Sequence, residues 1–116
     1  MNETKRQLKV AKLLQEELAD LLQKEMPQLR SGAMVTITKV RVSPDLSVAR
    51  FYLSLFGGQP ATVLQAFDEA NKEIRLRLGN RIRHTVRIVP HLHFHLDDSL
   101  DYIDRIDQLL KEDPNA

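Results

Sequence analysis

A run of cations between residues 72 and 87 is the strongest chemical signal in the sequence. It holds six of the seventeen basic side chains beside one acid, Glu73. An arginine guanidinium is planar and donates paired hydrogen bonds to phosphate oxygens, so a local excess of arginine indicates a phosphate-binding surface. The alternative is a solvated helix face whose arginines pair with acids of the C-terminal region. The six cations are Lys72, Arg75, Arg77, Arg81, Arg83 and Arg87.

Three histidines at alternate positions form a second candidate site. His91, His93 and His95 would share one face of a strand, where neighbouring imidazoles can bind one metal ion. Residues 93–98 read H-x-H-x-D-D, close to the H-x-H-x-D-H motif of metallo-β-lactamase-type hydrolases. Asp98 stands where that motif has its last histidine, and no histidine follows in the sequence. We therefore interpret the histidines as the exposed face of a strand and predict no metal site.

Other catalytic patterns are missing from the sequence. It contains no cysteine, no Walker A motif, no G-x-G-x-x-G and no G-x-S-x-G. The adjacent Asp97 and Asp98 stand where a helix would begin, and helix capping explains them. We predict a protein that is not an enzyme and has no catalytic residue and no cofactor. A metal hydrolase built on the histidine strand is the enzymatic alternative.

The charge distribution adds two further candidate surfaces. Net charge is only +1, yet seven acids lie between Asp97 and the end of the sequence. A protein–protein module that acts through this acidic region is therefore another alternative. Near the start, Lys5, Arg6, Lys9 and Lys12 lie opposite an apolar stripe, either as the wet side of a helix or as an extension of the basic surface. The N-terminus has no apolar signal-like run and the sequence no membrane-length apolar stretch, so we expect a cytoplasmic protein without a membrane partner.

Hydrophobic periodicity predicts the elements that position these side chains. A first helix is expected over residues 3–25, where Leu14, Leu18 and Leu21 recur at helical spacing before Pro27. Residues 35–42 and 48–55 are rich in β-branched or alternating apolar side chains, which predicts two strands joined by a turn at residues 43–45. The apolar phase of the first strand shifts between Ile37 and Val40, which indicates a bulge or apolar contacts on both faces.

The basic segment falls on the next predicted helix. One apolar face runs from about residue 60 to residue 83, with Asn71 and Gly79 as points where the helix could bend. A third strand is expected from Val86 to Leu96, with Pro90 inside it at an edge or a bulge. A last helix would begin near Ser99. These elements predict one α+β domain over residues 1–116, a small sheet covered by helices, with residues 99–116 as a C-terminal helix and tail.

Three stretches of the sequence resemble the ribosome-binding factor A family. They are KVAKLLQEELADLL (residues 9–22), VTITKVRVSPDLSVARFYLSL (residues 35–55) and IRLRLGNRIRHTVRIVPHLHFHLDDS (residues 74–99). The resemblance implies a type II KH fold in the order α-β-β-α-kink-α-β. It also implies that a kink written Ala-x-Gly replaces the GxxG loop of other KH domains. The matching residues here are Ala70, Asn71 and Lys72, with Lys72 in the place of the glycine.

The resemblance implies a function in maturation of the small ribosomal subunit. Such a protein would bind the free 30S subunit through rRNA as a monomer, assist processing of precursor rRNA ends and act in cold adaptation, without a small-molecule substrate. A general KH-like module for single-stranded RNA is the alternative within the binding class. The residues that we expect to contact RNA are Lys72, Arg75, Arg77, Arg81 and Arg83, followed by Arg50, Lys39 and Arg41 on the strands.

Overall fold

The computed structural model describes residues 3–97 and begins with a long helix, α1 (Lys5–Lys24). The Thr4 hydroxyl accepts a hydrogen bond from the Gln7 backbone N–H at 3.1 Å, and the Gln7 side chain accepts one from the Thr4 N–H at 2.8 Å. This reciprocal capping box satisfies two donors at the helix start. The buried stripe contains Leu14, Leu18 and Leu21, so the predicted helix is confirmed. A short 3₁₀ turn, Pro27–Arg30, follows it.

Two antiparallel strands, β1 (Met34–Val42) and β2 (Val48–Phe56), form the first hairpin. The pairing register shifts between Ile37 and Lys39, so the predicted irregularity is a bulge at Thr38. In the connecting turn, the Asp45 carboxylate accepts hydrogen bonds from the Ser43 and Ser47 hydroxyls, both at 2.7 Å. These bonds lower the pKa of Asp45 to about 2. The turn therefore keeps a charged carboxylate as its fixed centre.

The helical segment predicted between about residues 60 and 83, with a bend expected at Asn71 or Gly79, is two helices, α2 (Pro60–Glu69) and α3 (Asn71–Ile82). Ala70 separates them with φ −91° and ψ 8°, next to the expected bend at Asn71. Gly79 lies inside α3 and does not interrupt it. A Cβ atom at Gly79 would lie 2.9 Å from Cγ2 of Val89, so the glycine allows the segment after α3 to approach the helix closely.

The third strand, β3 (His91–Leu96), pairs in parallel with β2 and gives the sheet order β1-β2-β3. The prediction that this strand begins at Val86 was wrong. Residues 83–90 form turns and a loop, where Ile88 is 67% exposed and therefore does not share the buried face of the strand. Pro90 stands directly before β3 and has no N–H for a ladder, so the strand begins after it.

The helices and the sheet enclose one apolar core. The ring of Phe94 on β3 lies 5.5 Å from the ring of Phe51 on β2 and 5.2 Å from the ring of Phe67 on α2. Phe51, Phe67 and Leu78 are fully buried, which joins the sheet to α2 and α3. The predicted α+β class and the order α-β-β-α-kink-α-β are confirmed. The predicted C-terminal helix and tail lie outside the described residues.

Candidate nucleic-acid interface

Helix α3 carries cations on two sides of a buried ridge formed by Ile74, Leu78 and Ile82. We call the two sides the paired flank and the open flank. The paired flank holds Arg77 and Arg81 and faces α1. The open flank holds Lys72 and Arg75 and leads to Arg83 just after the helix. Because 3.6 residues make one helical turn, neighbouring cations in the sequence are divided between two surfaces.

On the paired flank, Arg81 contacts three carboxylates of α1 and the residue after it. Its guanidinium nitrogens lie 2.7 Å from Oδ2 of Asp20, 2.6 Å from Oε2 of Glu25 and 3.3 Å from Oε1 of Glu17. The Arg81 side chain is only 19% exposed. Arg77 adds contacts of 3.1 Å to Glu25 and 2.7 Å to Glu73. The arginines of this flank are therefore ion-paired, but with Glu17 and Asp20 of α1 and with Glu25 and Glu73. The C-terminal acids after Asp97, which the sequence offered as partners, lie outside the described residues.

These contacts perturb the titration of the groups involved. Hydrogen bonds from Arg81, and next from Lys24, lower the pKa of Asp20. Hydrogen bonds from Arg81 and Arg77 lower the pKa of Glu25. The pKa of Arg81 is raised, chiefly by its hydrogen bond to Asp20. Asp20, Glu25 and Arg81 thus stay ionised at neutral pH, and the four carboxylates around the two arginines leave no excess of positive charge on this flank for a phosphate.

Arg75 on the open flank holds the loop before β3. Its Nε donates to the backbone carbonyl of Pro90 at 2.9 Å, and a terminal nitrogen donates to that of Val89 at 2.6 Å. Asn71, at the start of α3, donates to the carbonyl of Leu92 at 2.9 Å. Both side chains therefore join α3 to β3 and its approach. The Arg75 side chain is half-buried, and its remaining N–H groups can still contact a ligand.

A groove of about 770 Å³ runs between the open flank and this loop. Leu76, Gly79 and Val89 form an apolar part of its wall. Lys72 and Arg83 are exposed at its rim. Its lining includes cations and imidazole but no carboxylate among the described residues, which suits an anionic ligand. We name this the α3 groove, and its lining residues are Asn71, Lys72, Arg75, Leu76, Gly79, Asn80, Arg83, Val89 and His91.

A second basic depression adjoins the first at Arg83. It has a volume of about 350 Å³ and lies between the start of α1 and the residues that follow α3. Four of its lining side chains are cations or histidine, and the described lining again includes no acid. We name it the α1 groove, and it is lined by Arg6, Val10, Leu46, Arg83, His84, Thr85, Val86 and Arg87. Arg83 is thus shared by two acid-free grooves.

The sequence prediction did not assign the α1 groove. The sequence places Arg6 in an N-terminal cation cluster that is either the wet side of a helix or an extension of the basic surface. In the structure Lys5, Lys9 and Lys12 lie on the exposed side of α1. Arg6 and Arg87 are far apart in the sequence, and only the packing of α1 against the end of α3 brings them together. Their sequence spacing contains no signal for this convergence.

The remaining predicted RNA contacts lie elsewhere, on the outer face of the sheet. Arg41 of β1 pairs with Arg50 of β2, and Lys39 pairs with Tyr52. The three histidines of β3 are exposed on the same face. Across residues 3–97, no group of three histidine, cysteine or acidic side chains is arranged to hold a metal ion. Asp98, the last residue of the H-x-H-x-D-D pattern, lies outside the described residues.

Comparison with known proteins points to one protein family. No helix in the described part of the chain has the length and apolarity of a membrane span. The family model of ribosome-binding factor A matches residues 6–110. The ribosome-binding factor A of Christiangramia forsetii is 42% identical over 120 residues, covering 100% of this chain and 92% of that protein. That of Chlorobaculum tepidum is 46% identical over 105 residues, covering 89% and 86%.

Solved structures of the same family have a similar fold. The crystal structure of ribosome-binding factor A from Thermus thermophilus has a TM-score of 0.64 and 29% identity, covering 76% of this chain and 92% of that one. A homology model of the Thermus thermophilus protein, fitted into the cryo-EM map of its complex with 30S, has a TM-score of 0.58 and 27% identity, covering 84% and 97%. The resemblance seen in the sequence is thus confirmed, and the chain belongs to the ribosome-binding factor A family.

Proposed function

We propose that this protein binds the small ribosomal subunit through rRNA phosphates along the two grooves that meet at Arg83. In this role it assists late maturation of the subunit and processing of precursor rRNA ends in the cytoplasm, including during growth in the cold. It acts as a monomer and without catalysis. Family membership and the 30S complex of the Thermus thermophilus relative support the partner.

The observation that carries the proposed interface is the absence of acids along the grooves. Within residues 3–97, the exposed cations Lys72, Arg83 and Arg87 have no carboxylate at ion-pair distance. A phosphate can therefore contact them without displacing an internal partner. Phosphate contacts position a protein without reading base sequence, so the shape of the rRNA would provide the specificity.

Sedimentation of the protein with free small subunits tests this interface. We expect Lys72→Glu/Arg83→Glu to reduce co-sedimentation by at least about tenfold, since each reversed cation loses a phosphate contact and repels it. The matched control is Lys9→Glu/Lys12→Glu, which reverses two exposed cations on the outer side of α1. The control should bind within about threefold of the wild type. Equal loss in both double variants would refute the groove assignment and indicate attraction by overall charge alone.

A general single-stranded RNA module is the other function to be separated. It predicts that a short unstructured oligomer competes with subunits for the Arg83 grooves. Under our proposal the grooves contact folded rRNA, so excess oligomer should leave co-sedimentation through these grooves largely unchanged. Complete competition that depends on Lys72 and Arg83 would favour the general module instead.

A further inference from the structure

The outer face of the sheet is a separate surface with an ordered arrangement of side chains. The strand register places Arg41, Arg50 and His93 side by side in one row. The next row, two residues along, contains Lys39, Tyr52 and His95. These side chains point away from the helices, because their alternate neighbours Ala49, Phe51 and Phe94 are buried in the core. The first row is cationic, and the second combines a cation with two rings.

The charge of this face fits an anionic polymer. The three strands contain no aspartate or glutamate. Arg41, Arg50 and Lys39 are exposed. Glu3 lies near Arg41 and Arg50 at one end, and Asp97 accepts a hydrogen bond from Thr38 near the other. Acids therefore border the face, while its centre presents only cations, histidines and neutral groups.

The rings on this face form a short stack that ends at His95 on the edge strand. Tyr52 and His95 lie with ring centroids 5.4 Å apart and planes inclined by 28°. The Lys39 ammonium lies 5.9 Å from the centre of the Tyr52 ring, so the row joins a cation to an aromatic surface. Further along β2, Phe56 is 79% exposed beside Met34 of β1. Phe56 and Met34 extend the apolar part of this face beyond the ring pair.

We propose that this outer face binds unpaired RNA, with a base stacked on the Tyr52–His95 pair and phosphates held by Arg41 and Arg50. Rows two residues apart along a strand are separated by about 6.7 Å, so a base on the rings leaves its own backbone near the arginines. The face lies on the opposite side of the sheet from the helices and is therefore distinct from the Arg83 grooves. The inference rests on the proposed function only for the choice of RNA as partner.

Fluorescence anisotropy with a labelled, unstructured uridine oligomer tests this inference on the full chain. We expect Tyr52→Ala, which removes the ring that His95 stacks on, to weaken binding at least about fivefold, the lower range for loss of one base–aromatic stack. Tyr52→Phe keeps the ring and should bind within about twofold of the wild type. Lys39→Glu changes an exposed side chain with little risk to the fold and should also weaken binding. The groove variant Lys72→Glu/Arg83→Glu should retain oligomer binding, which separates the two surfaces.

The outcomes of this experiment distinguish the inference from the proposed function. If Tyr52→Ala and Lys39→Glu bind the oligomer as tightly as the wild type does, the inference is overturned. This holds whether or not the groove variant binds small subunits. If Tyr52→Phe binds the oligomer as weakly as Tyr52→Ala, base stacking is likewise refuted, because Tyr52→Phe keeps the ring.

Discussion

Arg81 and Arg83 lie two residues apart, yet they have opposite surroundings. Arg81 contacts three carboxylates at the junction with α1, whereas Arg83 is exposed between two grooves that have no acid in their described lining. The difference comes from what the neighbouring element offers, since α1 carries Glu17 and Asp20 toward one flank of α3 only. A count of cations in a segment therefore overstates the charge available to RNA. The paired flank stabilises the packing of α1 on α3, and the open flank is the candidate interface.

Charge reversal at these two arginines should give the largest contrast. Arg81→Glu places a fourth carboxylate among three, and we expect the melting temperature to fall by about 8–15 °C. Arg83→Glu should lower it by less than about 3 °C but weaken binding to small subunits about tenfold. Thermal denaturation and co-sedimentation of both variants check this. The comparison fails if Arg81→Glu melts like the wild type, or if Arg83→Glu binds normally.

Acid titration should also distinguish the paired flank from the open flank, through a smaller difference in thermal stability between variants. Asp20 and Glu25 have folded pKa values below their ordinary values of 3.8 and 4.5, so the unfolded chain binds protons first as the pH falls. Their contribution is complete above these ordinary values and is lost as the pH falls through the folded values. Melting curves between about pH 5 and pH 3 should thus decline less steeply for Arg81→Gln than for the wild type. Arg83→Gln is the matched control and should follow the wild type.

Substitutions in the wall of the α3 groove should change the free energy of unfolding by about 1 kcal/mol. In Gly79→Ala, the new methyl group meets Val89 at 2.9 Å, which offsets the gain in helix propensity of about 1 kcal/mol. With Val89→Ala in place the conflict is removed, so adding Gly79→Ala should then stabilise the protein by about that amount. A double-mutant cycle by denaturant unfolding measures the difference. Strict additivity of the two changes would show that Gly79 is not needed for close approach.

Salt dependence should give the smallest measurable contrast. Removing one phosphate contact lowers the slope of log K against log salt by about one. We expect that change for Arg83→Gln in binding to small subunits, and no change in slope for Arg77→Gln, which is already paired with Glu25 and Glu73. A lower slope for Arg77→Gln would mean that its ion pairs exchange for phosphates on binding, and that the paired flank also contacts rRNA.

Much of the fold could be predicted because local patterns determine it. The Leu14–Leu18–Leu21 stripe predicted α1, and the shift between Ile37 and Val40 indicated a bulge as one of two explanations. The start of the third strand could not be predicted, since the apolar alternation of Val86 and Ile88 continues through a segment that tertiary contacts hold as a loop. There Arg75 binds the carbonyls of Val89 and Pro90, a contact that no period reveals.

The candidate site was less predictable than the fold. A helical repeat of 3.6 residues separates Lys72, Arg75 and Arg83 from Arg77 and Arg81, and the structure has this division. The sequence could not show which side meets acids, because that depends on how α1 lies across α3. Nor could it show that Arg6 and Arg87 converge. A similar reason applies to Tyr52 and His95, which meet only through the parallel pairing of β2 and β3.

The contacts of Asn71 and Arg75 also bear on how the chain behaves at high concentration. The N–H groups of His91, at the start of β3, and of Asp97, just after its end, donate to carbonyls of the β2 side. Because backbone groups alternate in direction along a strand, the carbonyls of Pro90 and Leu92 point to the outer edge of the sheet. An uncovered strand edge of this kind can add a strand from another molecule and lead to aggregation. Here Arg75 and Asn71 already occupy those two carbonyls. The start of α3 thus covers the first part of this edge and shortens the length of strand that is open to such pairing.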